Sequence, residues 1–240
     1  MIVEYDGTSF SGWQIQPRRR TVQEELQAAI GKYTREKASV LGAGRTDAGV
    51  HAAGQVCSFK LENSHKPGDL LYRLNRILPA DVKIKKVRRA AAGFDPRRGA
   101  TSRTYRYYIA EGPAPLLRHV RYQLGRRLDL HLLNRAAALL EGEHDFTAFC
   151  RKKSLKPDNH CKIFLSHWFR YQGALIYEVK ANRFLHHMVR RIVGGMLAVA
   201  QSKISLTQFK RFLNNKDEVR YSVPAAGLIL TRVNYRKERQ

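Results

Sequence analysis

The stretch from Gly44 to Ala52 reads GRTDAGVHA, and it sets the terms for the rest of the chain. The apolar run before it, Ser39 to Leu41, and the alternating run after it, Gln55 to Phe59, both read as strands. The stretch is therefore expected to be a loop between two strands, where functional groups concentrate. Glycine permits tight turns and the close approach of another backbone, and Gly44 and Gly49 bracket the segment. Its one acid, Asp47, stands two residues from Arg45. A carboxylate on a held loop beside a cation is the arrangement that a positioned, ionised acid needs. The same residues also suit a plain turn in which the Asp bonds its own backbone. Local chemistry leaves both readings open.

The charge balance narrows the partner. Among 240 residues, 44 Lys and Arg stand against 20 acids, for a formal charge of +24. Such a surface repels itself and makes sense beside a polyanion, with nucleic acid expected and an acidic membrane surface as the alternative. No apolar run reaches the roughly 18 residues that span a bilayer. Met1 leads directly into a strand-like segment carrying an acid, so no secretory leader is expected. Cys57, Cys150 and Cys161 lack CxxC spacing, which suits a reduced, cytoplasmic setting and argues against a disulfide framework or a cysteine-based zinc site. His186 and His187 are adjacent and not four apart, so they do not share a helical face for a metal.

Along the chain, Ile2 to Tyr5 reads as a short strand closed by Asp6-Gly7, and Arg18-Arg19-Arg20 as a basic cluster. Thr21 with Glu24 has the form of a capping box opening a helix to about Tyr33. Pro67 suits the first position of a second helix that Pro79 ends, and Val82 to Val87 reads as a half-exposed strand. In Ser102 to Ile109, tyrosines alternate with Arg103 and Arg106, a pattern suited to stacking bases and neutralising phosphates, though an ordinary Tyr-rich strand reads the same way. A helix is expected over Leu128–Leu140, a polar and basic mobile loop over Arg151–Asn159, and a hairpin turning at Gln172-Gly173. Phe184 to Gln201 carries the pattern of a well-buried helix interrupted by Arg190 and Arg191, cations that burial normally pairs. A short helix over Ser205–Leu213 and a strand near Pro224–Tyr235 close the chain, before a basic tail from Arg236 to Arg239.

Seven segments stand in an order that carries a resemblance. They are YDG at Tyr5, GWQ at Gly12, GRTDAGVHA with the following GQV, SRTYRYY at Ser102, HDF at His144, MVR at Met188 and GL at Gly227. Together they resemble the tRNA pseudouridine synthase A family over nearly the whole chain, from Tyr5 to Tyr235. The resemblance implies an α+β fold: a mostly antiparallel central sheet built from two similar α/β halves, with helices on one side and a cleft on the other. We place the halves at 1–98, carrying the loop, and 99–240. It implies that Asp47 is the catalytic residue, that Arg45 supports it and holds the flipped nucleotide, that Tyr105 lies against the target base, and that Arg190 pairs with Asp47. His144 and Asp145 are read as structural. It further implies isomerisation of uridines on the 3′ side of the anticodon arm of tRNA, without cofactor or metal. The partners it implies are tRNA and a second copy of the chain in a homodimer, with neither DNA nor membrane. The chain begins almost at its first strand, without the few leading residues usual in that family, so that strand is expected to be clipped. Arg151 to His160 matches the pattern poorly, in a loop expected to help choose the substrate. A non-catalytic RNA-binding protein is the rival reading, and a metal-dependent nuclease a weaker one, because such sites cluster several carboxylates.

Overall fold

The computed structural model describes residues 1–214 and 219–236; the expected basic tail beyond Arg236 lies outside them. In chain order the regular elements are β1 (Ile2–Tyr5), α1 (Val22–Thr34), β2 (Leu41–Gly42), β3 (His51–Ser58), α2 (Pro67–Ile77), β4 (Val82–Lys86) and β5 (Ala100–Ala110). They continue with β6 (Tyr122–Gln123), α3 (Leu130–Ala138), β7 (Gly142–Asp145), β8 (His160–Tyr171), β9 (Ala174–Ala181), α4 (Met188–Ala200), α5 (Leu206–Arg211) and β10 (Leu228–Tyr235). This is an α+β chain whose strand pairings are mostly antiparallel. It forms two compact units, Met1–Thr101 with the chain from Ile229 onward, and Ser102–Leu228.

In the first unit, β1 lies between two antiparallel neighbours, β3 and β4. On the other edge of β3, Ile229 and Leu230 of β10 run parallel to His51 and Ala52. The chain's last strand thus lies beside the strand that follows the glycine-rich loop. α1 buries Val22, Leu26, Ala29 and Ile30, the stripe that its period specifies. The expected capping box at Thr21 does not form: its hydroxyl is buried without a hydrogen-bond partner. The open N–H groups of the first turn are met from elsewhere, Val22 by the Gly12 carbonyl and Gln23 by that of Trp13. The strand expected at Ser39–Leu41 shrinks to the two residues of β2, because α1 takes the backbone of Val40: its N–H donates to Gln27 and its carbonyl accepts from Gln23. Pro67 does open α2, and Asn75 of that helix bonds both backbone groups of Ile84 in β4. Of the three clustered arginines, Arg20 is structural. It lies 4.3 Å over the Phe10 ring and bonds Glu25 and Asp81, while Arg18 and Arg19 are exposed.

In the second unit, β9 pairs antiparallel with β5 on one side and β8 on the other, and β7 extends the far edge of β8. The β8–β9 hairpin turns on Gln172 and Gly173, both at positive φ (46° and 68°), the two-residue turn whose twist matches paired strands. One sheet face carries Tyr107, Tyr177 and Trp168 side by side, all buried. It packs under helices: Trp168 Nε1 donates to Met196 of α4, and Ser166 Oγ bonds the Ala137 carbonyl of α3. The opposite face carries Arg106, ion-paired with Glu178, beside a half-buried Phe169. α3 is capped by Asp129, whose carboxylate accepts from His131 and Leu132. α4 is buried along Ile192–Val199, yet it starts at Met188 and not at Phe184. His187 takes the left-handed conformation (φ 65°), which ends the preceding turn and sets the true start. His144 and Asp145 serve local turns, as read from the sequence: His144 bonds the Glu141 carbonyl and Asp145 accepts from Thr147. Among the described residues no helix is long and apolar enough to cross a membrane.

Candidate active site

The loop between β2 and β3 is held at its middle. Thr46, between Arg45 and Asp47, is buried, and its hydroxyl shares a 2.8 Å hydrogen bond with the Tyr5 hydroxyl of β1. Burial pushes the Tyr5 phenol well above its ordinary pKa, an effect the Thr46 bond only partly offsets, so the hydroxyl keeps its proton. The Thr46 carbonyl accepts from the Trp13 N–H at 3.0 Å. Gly12 makes that approach possible. It sits at φ +96°, and a Cβ there would meet the Thr46 oxygen at 2.7 Å.

Both flanks of the loop are tied as well. Gln55, fully buried in β3, donates from its amide to the Gly44 carbonyl at 2.9 Å, and Ala43 N–H bonds the Val56 carbonyl. On the far side Val50 N–H bonds the Asp47 carbonyl and Gly49, at φ +76°, bonds the Phe10 carbonyl. His51 is buried, and its Nδ1 accepts from the Gly7 N–H at 3.0 Å. The YDG and GWQ segments therefore form the bed of the loop. Trp13, 2% exposed, packs against Gly42 as a core aromatic. With Thr46 anchored below, Arg45 is exposed and Asp47 half-buried.

The second unit carries Tyr105 and Arg190. Tyr105, on β5, is 9% exposed and meets Phe184 edge-on, with ring centroids 5.1 Å apart. Arg190 lies in the first turn of α4, half-buried, and its Nε donates to the Val223 carbonyl at 2.8 Å. That bond is one partner the sequence left unnamed. Val223 precedes Pro224, whose carbonyl accepts from Tyr107, so the segment before β10 is fastened to both α4 and β5. Each unit thus supplies two of the four residues singled out from sequence, Arg45 and Asp47 from the first and Tyr105 and Arg190 from the second.

Sequence reading missed Tyr5, Thr46 and Gln55 as the residues that fix the loop. The only signals were an inward-facing Gln in an apolar strand and a Thr wedged between two charges. A cavity of about 1040 Å³ within the first unit lies at the opposite end of β3, around Cys57, Ser58, Lys86 and Arg88. It contains none of the loop's residues.

Comparison with known proteins gives a consistent result. A family model described as tRNA pseudouridine synthase matches residues 1–97 and 136–236. A protein of Azobacteroides pseudotrichonymphae named tRNA pseudouridine synthase A is 39% identical over 233 residues, spanning 96% of this chain and 94% of its own. Proteins of the same name from Bacteroides fragilis and Porphyromonas gingivalis are each 38% identical, covering 98% and 96% of this chain and 94% of their own lengths.

Proposed function

The chain belongs to the tRNA pseudouridine synthase family, and from that premise we propose that it isomerises uridine to pseudouridine in tRNA, with Asp47 as the catalytic residue. The observation that carries the assignment of Asp47 is the bed beneath it. Thr46 is buried and bonded through both its hydroxyl and its carbonyl, so the carboxylate one residue on sits on a fixed backbone.

In the proposed reaction the bond from N1 to the ribose C1′ breaks and a bond from C5 to C1′ forms. C5 loses its proton and N1 gains one, so atoms balance without a redox step or a group lost, and the chemistry calls for no cofactor. A side chain reaches a stacked base only after the nucleotide is flipped out, at a cost of a few kcal/mol. Arg45, exposed beside the anchored Thr46, is the proposed holder of the flipped nucleotide. Asp47 acts as nucleophile or base. Tyr105, on the second unit, is proposed to pack on the target base. Arg190 is proposed as the supporting cation, since a nearby positive charge favours an ionised carboxylate. The anticodon arm, its uridines on the 3′ side, and a working homodimer are likewise proposed, on the resemblance of the seven motifs.

The test is tritium release from tRNA labelled at uridine C5. The native chain is expected to release it, and Asp47→Asn to release none while binding tRNA as tightly as the native protein. Binding without release by the native chain is the result of a non-catalytic RNA-binding protein, and it removes the proposal.

A further inference from the structure

We propose that the turn at residues 16–19, within the first unit, is a phosphate clamp that seats the RNA backbone of the substrate against the bed of the Asp47 loop, with Arg18 and Arg19 as its two contacts. This rests on the reading that the substrate is tRNA. The turn is closed by the Arg19 N–H on the Gln16 carbonyl at 3.3 Å. Pro17 takes its second place and Arg18 its third, at φ +57°. A third place at positive φ favours Gly or Asn, because a larger L side chain crowds its own backbone there. The two arginines also come just before the start of α1, the end of a helix dipole that disfavours cations. Local conformation and local field thus both argue against arginine at these positions.

Arg20, the third of the cluster, shows what the fold itself uses a cation for here. It lies over Phe10 and binds both Glu25 and Asp81. Arg18 and Arg19 are exposed, and among the described residues neither forms an ion pair. No acid lies between Gly7 and Arg20. The turn is nonetheless held. Gln16 Nε2 donates to the Ser11 carbonyl at 2.8 Å, the Ser11 N–H bonds the Arg20 carbonyl at 2.9 Å, and the Ile15 N–H bonds Gln23 Oε1 of α1 at 3.1 Å. It grows from the segment that beds the Asp47 loop, where Trp13 N–H bonds the Thr46 carbonyl and the Phe10 carbonyl accepts from Gly49. Two guanidiniums fixed to that bed and unused by the fold suit backbone phosphates. The guanidinium fork binds phosphate through two parallel bonds, and such contacts set the register of a nucleic acid without reading its sequence.

The experiment measures tRNA affinity against salt, and the unfolding midpoint, for the full chain and its variants. Arg18→Asn/Arg19→Ala removes both contacts. Arg35→Asn/Lys37→Ala is the control. Arg35, at the far end of α1, is also an arginine at positive φ (64°), and it and Lys37 are exposed, so the control removes the same charge from a like conformation. Losing two phosphate contacts should flatten the plot of log affinity against log salt by about 1.4 to 1.8 in the turn variant. The control should keep the native slope. A native slope in the turn variant, or an equal flattening in the control, overturns the proposal. Arg18→Asn alone should unfold at or above the native midpoint, since Asn suits the left-handed place, and should still bind tRNA several-fold more weakly at low salt. A lowered midpoint there makes Arg18 part of the fold and overturns its assignment. If the native chain binds tRNA with the expected dependence on the turn but makes no pseudouridine, the clamp stands and the enzymatic reading falls.

Discussion

Asp47 sits on a loop fastened at its middle and on both flanks, and the residue that specifies it is its neighbour. Thr46 is bonded through its side chain to Tyr5, 41 residues away, and through its carbonyl to Trp13. Removing the phenol leaves a buried hydroxyl without that partner, which costs about 1–3 kcal/mol. Tyr5→Phe should therefore lower stability by that order in urea unfolding. It should cut turnover of tRNA well before it weakens tRNA binding, because the carboxylate loses its footing while the cationic surface is untouched. Equal losses in both would mean that the bond serves only the fold. At this scale the sequence was half legible. The acid, the cation and the glycines could be picked out by their chemistry and by the resemblance. The anchors could not, because a Tyr–Thr bond across 41 residues leaves no local pattern, and Trp13 suits a rim or a core equally well until Gly42 is found against its ring.

Most helices and strands announced themselves. Pro67 opening α2, the stripe of α1 and the Gln172-Gly173 turn are read from local rules that tertiary packing left in force. Two of the failures share a cause, in that another segment took the backbone groups, and the third is a local turn of the backbone. α1 side chains hold Val40 and shorten β2, carbonyls from the GWQ segment replace the Thr21 cap, and a left-handed His187 delays α4. A junction invisible in the sequence also joins three elements. Glu111, just after β5, accepts two bonds from Arg170 of β8 and one from the Leu128 N–H that leads into α3. The Arg170 bond, above all, holds the Glu111 carboxyl below its ordinary range. Since the folded value lies under the unfolded one of about 4.3, this contribution is complete above that pH and is lost as pH falls through the folded value. Native protein should thus lose more unfolding free energy between pH 6 and pH 3 than Glu111→Gln does. Equal losses in denaturant titrations at the two pH values would show that the junction is not titrating.

The whole molecule carries +24, and a surplus that large weakens a compact fold through self-repulsion unless a polyanion is its habitual neighbour. Affinity for tRNA should fall steeply with salt, by about 0.7 to 0.9 in log–log slope for each phosphate contacted. A slope near zero would place the surplus charge outside the interface. The division into units has a consequence of its own. The first unit is interrupted in sequence, for β10 returns to lie beside β3 only after the entire second unit has been made. On the ribosome, then, the strand leading out of the loop that carries Asp47 waits on the order of ten seconds with one margin bare, at ordinary elongation rates. Nascent chains are most open to mispairing with one another during that interval, and a product released before Ile229 would hold all four proposed site residues yet never complete the platform on which two of them stand.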